Sequence, residues 1–186
     1  MSSANVNLRT MRFDVVLRTF TDFFDREKIR FVVIGGLAIH AWGRSRNTQD
    51  IDFAVDLSQR ETVVAFAESM GYKTHFLSDG YSNHEHSSSD WGRVDLMYVT
   101  GETAEKVFAT ATIKPIAGDI AAPVARPELL AAMKATAMKN APRRVLVDAA
   151  DVQFLMNVPG VDRDAIRDYF AQRGLLELFN ALEKHS

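Results

Sequence analysis

The sequence has no cysteine in its 186 residues, which excludes a disulfide framework, a thiolate zinc site and a cysteine nucleophile. It also has no apolar run that approaches the roughly 20 residues a helix needs to cross a bilayer. Neither sign of charge dominates, because 22 basic residues stand against 24 acidic ones and leave a net charge of -2. Such a chain has no global field that attracts nucleic acid. Since a secretory signal pattern is also missing, we expect a cytoplasmic protein with no membrane partner.

What the sequence does contain is typical of a folded domain. Hydrophobic residues make up 47% and charged residues 25%, which are ordinary values for globular proteins and exclude disordered and collagen-like chains. A chain of this length buries roughly 70% of its unfolded surface, so its core can stabilise it without covalent links. The length fits one domain, or one domain with a small appendage.

Helical and strand patterns alternate along the first two thirds of the chain. Apolar residues at helical spacing predict an amphipathic helix over about residues 8–28. An apolar run over 30–34 predicts a buried strand that ends at Gly35-Gly36. Further helices are predicted at 37–42, 58–70 and 102–109. The helix at 58–70 opens with a capping box of Ser58 and Glu61. Further strands are predicted at 50–55, 72–77, 94–99, 113–116 and 120–124. This alternation predicts an α/β (α+β) fold.

The stretch over residues 78–90 is rich in Ser, Asn, Asp and His and has no periodicity, so we predict an exposed, mobile loop. Within it, His84-Glu85-His86 has the composition of a metal site. Alternate residues in a flexible loop give no fixed ligand geometry, however, which favours an ordinary surface loop or a lid.

From Pro127 onward the pattern is helical, with breaks near 140–142, 159–160 and 174. We therefore predict a boundary at about residue 125. It separates an α/β core of residues 1–125 from a C-terminal helical subdomain of residues 126–186.

Three aspartates occupy the predicted strands. Side chains alternate along a strand, so Asp50 and Asp52 project from one face about 7 Å apart. Asp95 supplies a third carboxylate if its strand lies beside the first. For any one aspartate the simpler interpretation is a solvated position on a one-sided sheet. The three together favour a site for Mg²⁺, which prefers carboxylate oxygens and substrate phosphates.

The Gly35-Gly36 turn lies between a predicted strand and a predicted helix. Its unblocked backbone N–H groups and the helix start favour an anion such as a triphosphate. A tight turn with no ligand explains two glycines equally well. The turn therefore indicates a phosphate site only in combination with the acids that follow it.

Three motifs between residues 31 and 96 form a recognisable pattern. They are Phe31-Val32-Val33-Ile34-Gly35-Gly36-Leu37-Ala38, Arg46-Asn47-Thr48-Gln49-Asp50-Ile51-Asp52-Phe53 and Val94-Asp95-Leu96. Together they resemble the nucleotidyltransferase superfamily of the DNA polymerase β type. Within it they look most like the AbiEii-like toxins and related minimal nucleotidyltransferases.

The resemblance implies a nucleotidyltransferase fold, with a small mixed β-sheet flanked by helices. It also implies an enzyme that moves an NMP from an NTP such as ATP to an acceptor hydroxyl. It implies that Asp50 and Asp52 hold two Mg²⁺ ions, or Mn²⁺, shared with the triphosphate. Asp95 would ligate one ion and help to deprotonate the acceptor. The nucleotide itself would contact Gly35, Gly36, Arg46 and Lys134.

Two of these nucleotide contacts have alternative interpretations. Arg46 precedes the acids, where a guanidinium either meets triphosphate oxygens or supports the strand. Lys134 falls on a predicted helix with an apolar face, where a lysine often reaches out to water from the edge of that face.

The acceptor is the least determined part of the hypothesis. Between positions 126 and 144 the sequence has one glutamate and five basic residues: Arg126, Lys134, Lys139, Arg143 and Arg144. The simpler interpretation of such a run is a solvated helix face. Contact with an RNA or tRNA backbone is the alternative, and the local excess of positive charge favours an RNA acceptor over a drug. The toxin resemblance also implies a cognate antitoxin. The alternatives are an aminoglycoside or lincosamide nucleotidyltransferase with a small-molecule acceptor, and a non-catalytic nucleotide-binding relic of the fold.

Overall fold

The computed structural model describes residues 11–45, 48–140 and 145–184. In these ranges the strands are β1 Phe31–Ile34, β2 Asp50–Asp56, β3 Tyr72–Leu77, β4 Tyr81–His86, β5 Arg93–Val99, β6 Thr112–Ala117 and β7 Ile120–Val124. The helices are α1 Phe13–Arg26, α2 Gly35–Ala41, α3 Arg60–Ser69, α4 Gly101–Ala109, α5 Pro127–Asn140, α6 Val145–Met156, α7 Arg163–Gln172 and α8 Leu176–Glu183. None of these helices is long and apolar enough to cross a membrane.

All seven strands join one sheet in the order β3-β4-β5-β2-β1-β7-β6. The β2–β5 and β1–β7 pairs are parallel, whereas the other four pairs are antiparallel. The predicted mixed α/β fold is therefore confirmed. β2, which carries Asp50 and Asp52, lies at the centre of the sheet.

The core is built around aromatic rings from α1 and the sheet. The ring of Phe20 lies 5.9 Å from that of Phe53, 5.4 Å from Phe66 and 5.8 Å from Tyr72. A single buried hydrophobic cluster continues from Met11 to Leu182, so it includes both the sheet and the C-terminal helices. In the latter, α5 packs on α6 and α7 and also touches α2. The division at residue 125 stays a prediction.

The prediction of a mobile loop over residues 78–90 is wrong, because β4 pairs with β3 and β5 there. Its inward side chains are polar, which hid the strand pattern. Ser82 and His84 are fully buried and satisfy each other, with the Ser82 hydroxyl 2.7 Å from His84 Nε2. The same hydroxyl lies 2.6 Å from the Tyr98 hydroxyl on β5. The His84-Glu85-His86 sequence is therefore part of a strand.

The predicted capping box at Ser58 is also wrong. A short 3₁₀ turn, Leu57–Gln59, precedes α3, and its cap is Asp56. The Asp56 carboxylate accepts hydrogen bonds from the backbone N–H and the hydroxyl of Ser58, at 3.0 and 2.8 Å. Asp56, which ends β2, thus caps the 3₁₀ turn, whereas Gln59 at the start of α3 makes no side-chain cap.

We expect the Phe20→Ala variant to lose about 3–5 kcal/mol of unfolding free energy, because Phe20 is fully buried among other rings. The matched control is Ile113→Ala on the edge strand β6, where the side chain is 66% exposed. That variant should change stability by less than about 0.5 kcal/mol. Urea unfolding measures both, and equal losses would contradict the placement of the core.

Candidate active site

The strand register brings the three predicted aspartates together. Asp52 on β2 stands directly opposite Asp95 on β5, and on its other side it faces Ile34 at the end of β1. Asp50 lies two residues before Asp52 and therefore on the same face of β2. Three carboxylates thus share one face at the centre of the sheet.

The charge of Asp52 is poorly compensated by its surroundings. Burial, followed by the negative charges of Asp50 and then Asp95, raises the pKa of Asp52 from 3.8 to about 7. Two weaker influences act the other way, namely the charge of Lys134 and a hydrogen bond from the Gly36 backbone N–H. A carboxyl group in this environment gains from any cation placed next to it.

The glycine turn is shaped around β2. Gly35 has a φ of +64°, and a Cβ added there would lie 2.0 Å from Asp52 Oδ2. A Cβ on Gly36 would lie 2.7 Å from the Thr48 hydroxyl oxygen. Both glycines are therefore required for the turn to approach the strand so closely. Because the Gly36 N–H already donates to Asp52, this turn contacts an anion of the protein itself.

Asp50 and Asp95 are each held by a neighbouring side chain. The Thr48 hydroxyl donates to Asp50 Oδ1 at 2.8 Å and so orients this carboxylate. The Asn83 amide donates to Asp95 Oδ1, and the Tyr81 hydroxyl also donates to the Asp95 carboxylate. Burial, and then this contact with Asp95, raises the pKa of Tyr81 above its ordinary value.

Asn83 and Tyr81 are the site residues that sequence reasoning missed, since both lie in the stretch interpreted as a loop. The signal that was present is the alternation in β4, where Tyr81 and Asn83 face the acids and Ser82 and His84 face the core. Composition concealed this alternation because both faces of the strand are polar.

Lys134 lies in a buried ion cluster. Its ammonium is 2.6 Å from Asp148 Oδ1 and 3.0 Å from Asp151 Oδ2 on α6, and its side chain is only 9% exposed. Arg44 Nε lies 3.3 Å from the other oxygen of Asp151. The interpretation of Lys134 as a lysine that reaches water is therefore wrong, because two carboxylates hold its ammonium inside. Its charge also lowers the pKa of Asp52, against the larger effects of burial and of the charges of Asp50 and Asp95.

The other predicted basic contacts are less well defined. Arg46, Arg143 and Arg144 lie outside the described residues. Arg126 Nε lies 3.5 Å from Glu128, whereas Lys139 is exposed near the end of α5. Of the five basic residues in the 126–144 stretch, Lys134 and Arg126 are thus next to carboxylates.

A family model described as nucleotidyl transferase AbiEii toxin, Type IV TA system, matches residues 17–185. The chain belongs to the AbiEii nucleotidyltransferase toxin family. It is therefore an enzyme of the nucleotidyltransferase class, as the motifs around Gly35, Asp50 and Asp95 implied. No curated protein matches the sequence significantly.

Solved structures share the fold of this AbiEii family chain. A solution structure of the antibiotic-resistance factor ANT(2'')-Ia superposes with a TM-score of 0.66 at 17% identity, covering 92% of this chain and 95% of that one. The lincosamide antibiotic adenylyltransferase LnuA, bound to lincomycin, gives 0.55 at 16% identity, covering 78% and 97%. An antigenic nucleotidyltransferase-like protein from Paracoccidioides brasiliensis gives 0.57 at 15% identity, covering 92% of both chains. At these identities the likeness shows the nucleotidyltransferase fold.

The donor set of the AbiEii family site suits a hard cation such as Mg²⁺. Within the described ranges, no three His, Asp or Glu side chains are arranged to hold a metal ion by themselves. Mg²⁺ usually binds through one or two carboxylates and completes its shell with water and substrate phosphates. Asp50 and Asp52 fit that pattern, because they offer carboxylate oxygens on one face beside a buried excess of negative charge.

We expect Asp52→Asn to stabilise the ligand-free protein at pH 8 and to gain much less at pH 4. The folded pKa of Asp52, about 7, lies above the unfolded value of 3.8, so the wild type loses stability as pH rises between them. The asparagine side chain does not ionise and so has no such loss. At pH 8 the unfolding free energy of Asp52→Asn should therefore exceed that of the wild type by at most about 4 kcal/mol.

Urea unfolding at both pH values measures this difference, with Asp119→Asn as the control because its carboxylate is largely exposed. If Asp52→Asn gained the same unfolding free energy at pH 4 and pH 8, the raised pKa of Asp52 would be contradicted.

Proposed function

We propose that this protein is a Mg²⁺-dependent nucleotidyltransferase that moves an NMP from an NTP, such as ATP, to an acceptor hydroxyl. Asp50, Asp52 and Asp95 are its catalytic residues. The observation that carries this proposal is the register of β2 and β5, which places Asp52 opposite Asp95, where burial and the charges of Asp50 and Asp95 raise the pKa of Asp52.

Asp95 is the base for the acceptor. The acceptor oxygen forms a bond to the α-phosphorus, the bond from that phosphorus to the pyrophosphate breaks, and the hydroxyl proton passes to the Asp95 carboxylate. The hydrogen bond from Asn83 to Asp95 Oδ1 supports this role, because it fixes the carboxylate plane and leaves Oδ2 as the oxygen that takes the proton. The nearest guanidinium to Oδ2, from Arg93, is 3.7 Å away and beyond hydrogen-bond reach.

Asp50 and Asp52 hold the metal, with two Mg²⁺ ions, or Mn²⁺, as the expected occupancy. When bound, Mg²⁺ neutralises the phosphate charges and polarises the α-phosphate for attack. Asp50 is oriented for this by Thr48, and Asp52 by the Gly36 N–H.

The triphosphate lies at the Gly35–Gly36 turn, with Arg46 and Lys134 as further nucleotide contacts. The charge of Lys134 at Asp52 supports a nucleotide cleft between the sheet and α5. The C-terminal helical subdomain, residues 126–186, then forms the second wall of that cleft.

RNA, such as tRNA, is the acceptor that we favour, with a cognate antitoxin as a partner and the cytoplasm as the location. The support is membership of a family described as a toxin of a Type IV TA system. A small-molecule acceptor is the second candidate. It is favoured by the shared fold with ANT(2'')-Ia and with the lincosamide adenylyltransferase LnuA.

The test incubates the protein with Mg²⁺, each α-labelled NTP in turn, and either total cellular RNA, tobramycin or lincomycin. We expect label on RNA in Mg²⁺ and none in EDTA. Asp95→Asn should lower the rate at least about 100-fold, because an amide cannot take the acceptor proton.

Asp119→Asn, a distant exposed carboxylate, is the control and should keep the wild-type rate. Label found only on an antibiotic would establish the second candidate. No label on any acceptor, or equal label in EDTA, would contradict the proposed reaction.

A further inference from the structure

The two substrates of the proposed reaction must reach the acids from different strands of the sheet. The glycine turn ends β1, the first two acids lie on β2, and Asp95 lies on β5. The sheet order then continues through β4 to the edge strand β3. A nucleotide held at the β1 and β2 side therefore leaves the β4 and β3 side for the acceptor.

One row of paired residues crosses that side. Asp95 pairs with Asn83 on β4, and Asn83 pairs with Phe76 on β3. Paired residues of neighbouring strands point to the same face, so Phe76 lies on the face that carries the acids. Two strand spacings separate it from Asp95, which is about 10 Å and the size of a nucleoside.

The end of this row is an exposed aromatic surface. Phe76 is 55% exposed, and its ring centroid lies 6.0 Å from that of Tyr81. Tyr81 is half-buried, and its hydroxyl hydrogen-bonds the Asp95 carboxylate. The two rings therefore form a surface that starts at Asp95 and runs outward to the sheet edge.

We propose that the rings of Phe76 and Tyr81 bind a nucleobase of a single-stranded RNA acceptor beside Asp95. Stacking on exposed aromatic rings is the usual way in which proteins hold unpaired bases, and it contributes about 1–3 kcal/mol per base. This inference rests on the proposed function, and it adds where the acceptor binds and which part of it is recognised.

The charges on the same face suit a phosphate backbone. Arg93 and Lys73 lie in the next cross-strand row, on either side of Glu85, and both side chains are exposed. His75 Nε2 lies 3.4 Å from the Glu85 carboxylate. Two exposed cations, Arg93 and Lys73, beside the tilted rings of Phe76 and Tyr81 favour an anionic acceptor over a polycationic aminoglycoside.

The test measures binding of a 5′-fluorescein-labelled single-stranded RNA of ten nucleotides by anisotropy, with Mg²⁺ and a non-hydrolysable NTP analogue present. We expect Phe76→Ala to weaken RNA binding about 5- to 150-fold, the equivalent of the lost stacking. Phe76→Trp should retain binding, because it keeps an aromatic face. Ile113→Ala is the matched control, since that side chain is as exposed but lies on β6 at the opposite edge.

Calorimetry with the NTP analogue separates this inference from the proposed function. Phe76→Ala should bind the analogue as the wild type does. Wild-type protein that fails to bind it would contradict the proposed function. Two results would overturn only the proposed role of the aromatic surface. In one, the wild type binds the analogue but not the RNA. In the other, Phe76→Ala binds both the analogue and the RNA as tightly as the wild type does. Transfer to tobramycin that depends on Phe76 would overturn it too, because the rings would then serve another class of acceptor.

Discussion

The parallel pairing of β2 with β5 is the constraint on which the site depends. It sets Asp52 against Asp95 at the centre of the sheet, where burial and the nearby Asp50 leave negative charge uncompensated. A folded protein tolerates such a cluster only if its stability comes from elsewhere. Here it comes from the continuous hydrophobic core around α1, where the ring of Phe20 packs on that of Phe53 in β2 itself. One strand therefore carries core packing on one face and the acids on the other.

The surroundings of the acids serve to position them. The glycine turn allows β1 to end against Asp52, Thr48 orients Asp50, and Asn83 orients Asp95. Each acid is thus held by a group from a different segment of the chain. A cation that binds there meets side chains whose geometry is already set, which is the usual condition for electrostatic stabilisation of a transition state.

The local motifs were predictable from sequence because they follow short-range rules. Side-chain alternation placed Asp50 and Asp52 on one face, and the predicted strand that contains Asp95 offered a third acid if it lay beside the first. β4 was not predictable by the same means, because the residues that it buries are the polar Ser82 and His84. The Ser82 hydroxyl is satisfied by His84 and by Tyr98 on β5, and the other ring nitrogen of His84 by Thr74 on β3. The ion cluster of Lys134 was missed for a related reason, since its partners lie on another helix. In both cases long-range pairing decides the burial of polar residues, and composition does not report it.

The central claim is that Asp50 and Asp52 form a cation site that a nucleotide completes, beside Asp95 as the base. The most direct measurement is anomalous X-ray scattering from a crystal grown with Mn²⁺ and a non-hydrolysable NTP analogue. The account predicts manganese peaks bound by the carboxylates of Asp50 and Asp52, with the triphosphate at the Gly35–Gly36 turn. Manganese bound elsewhere, or a nucleotide bound away from these carboxylates, would contradict it.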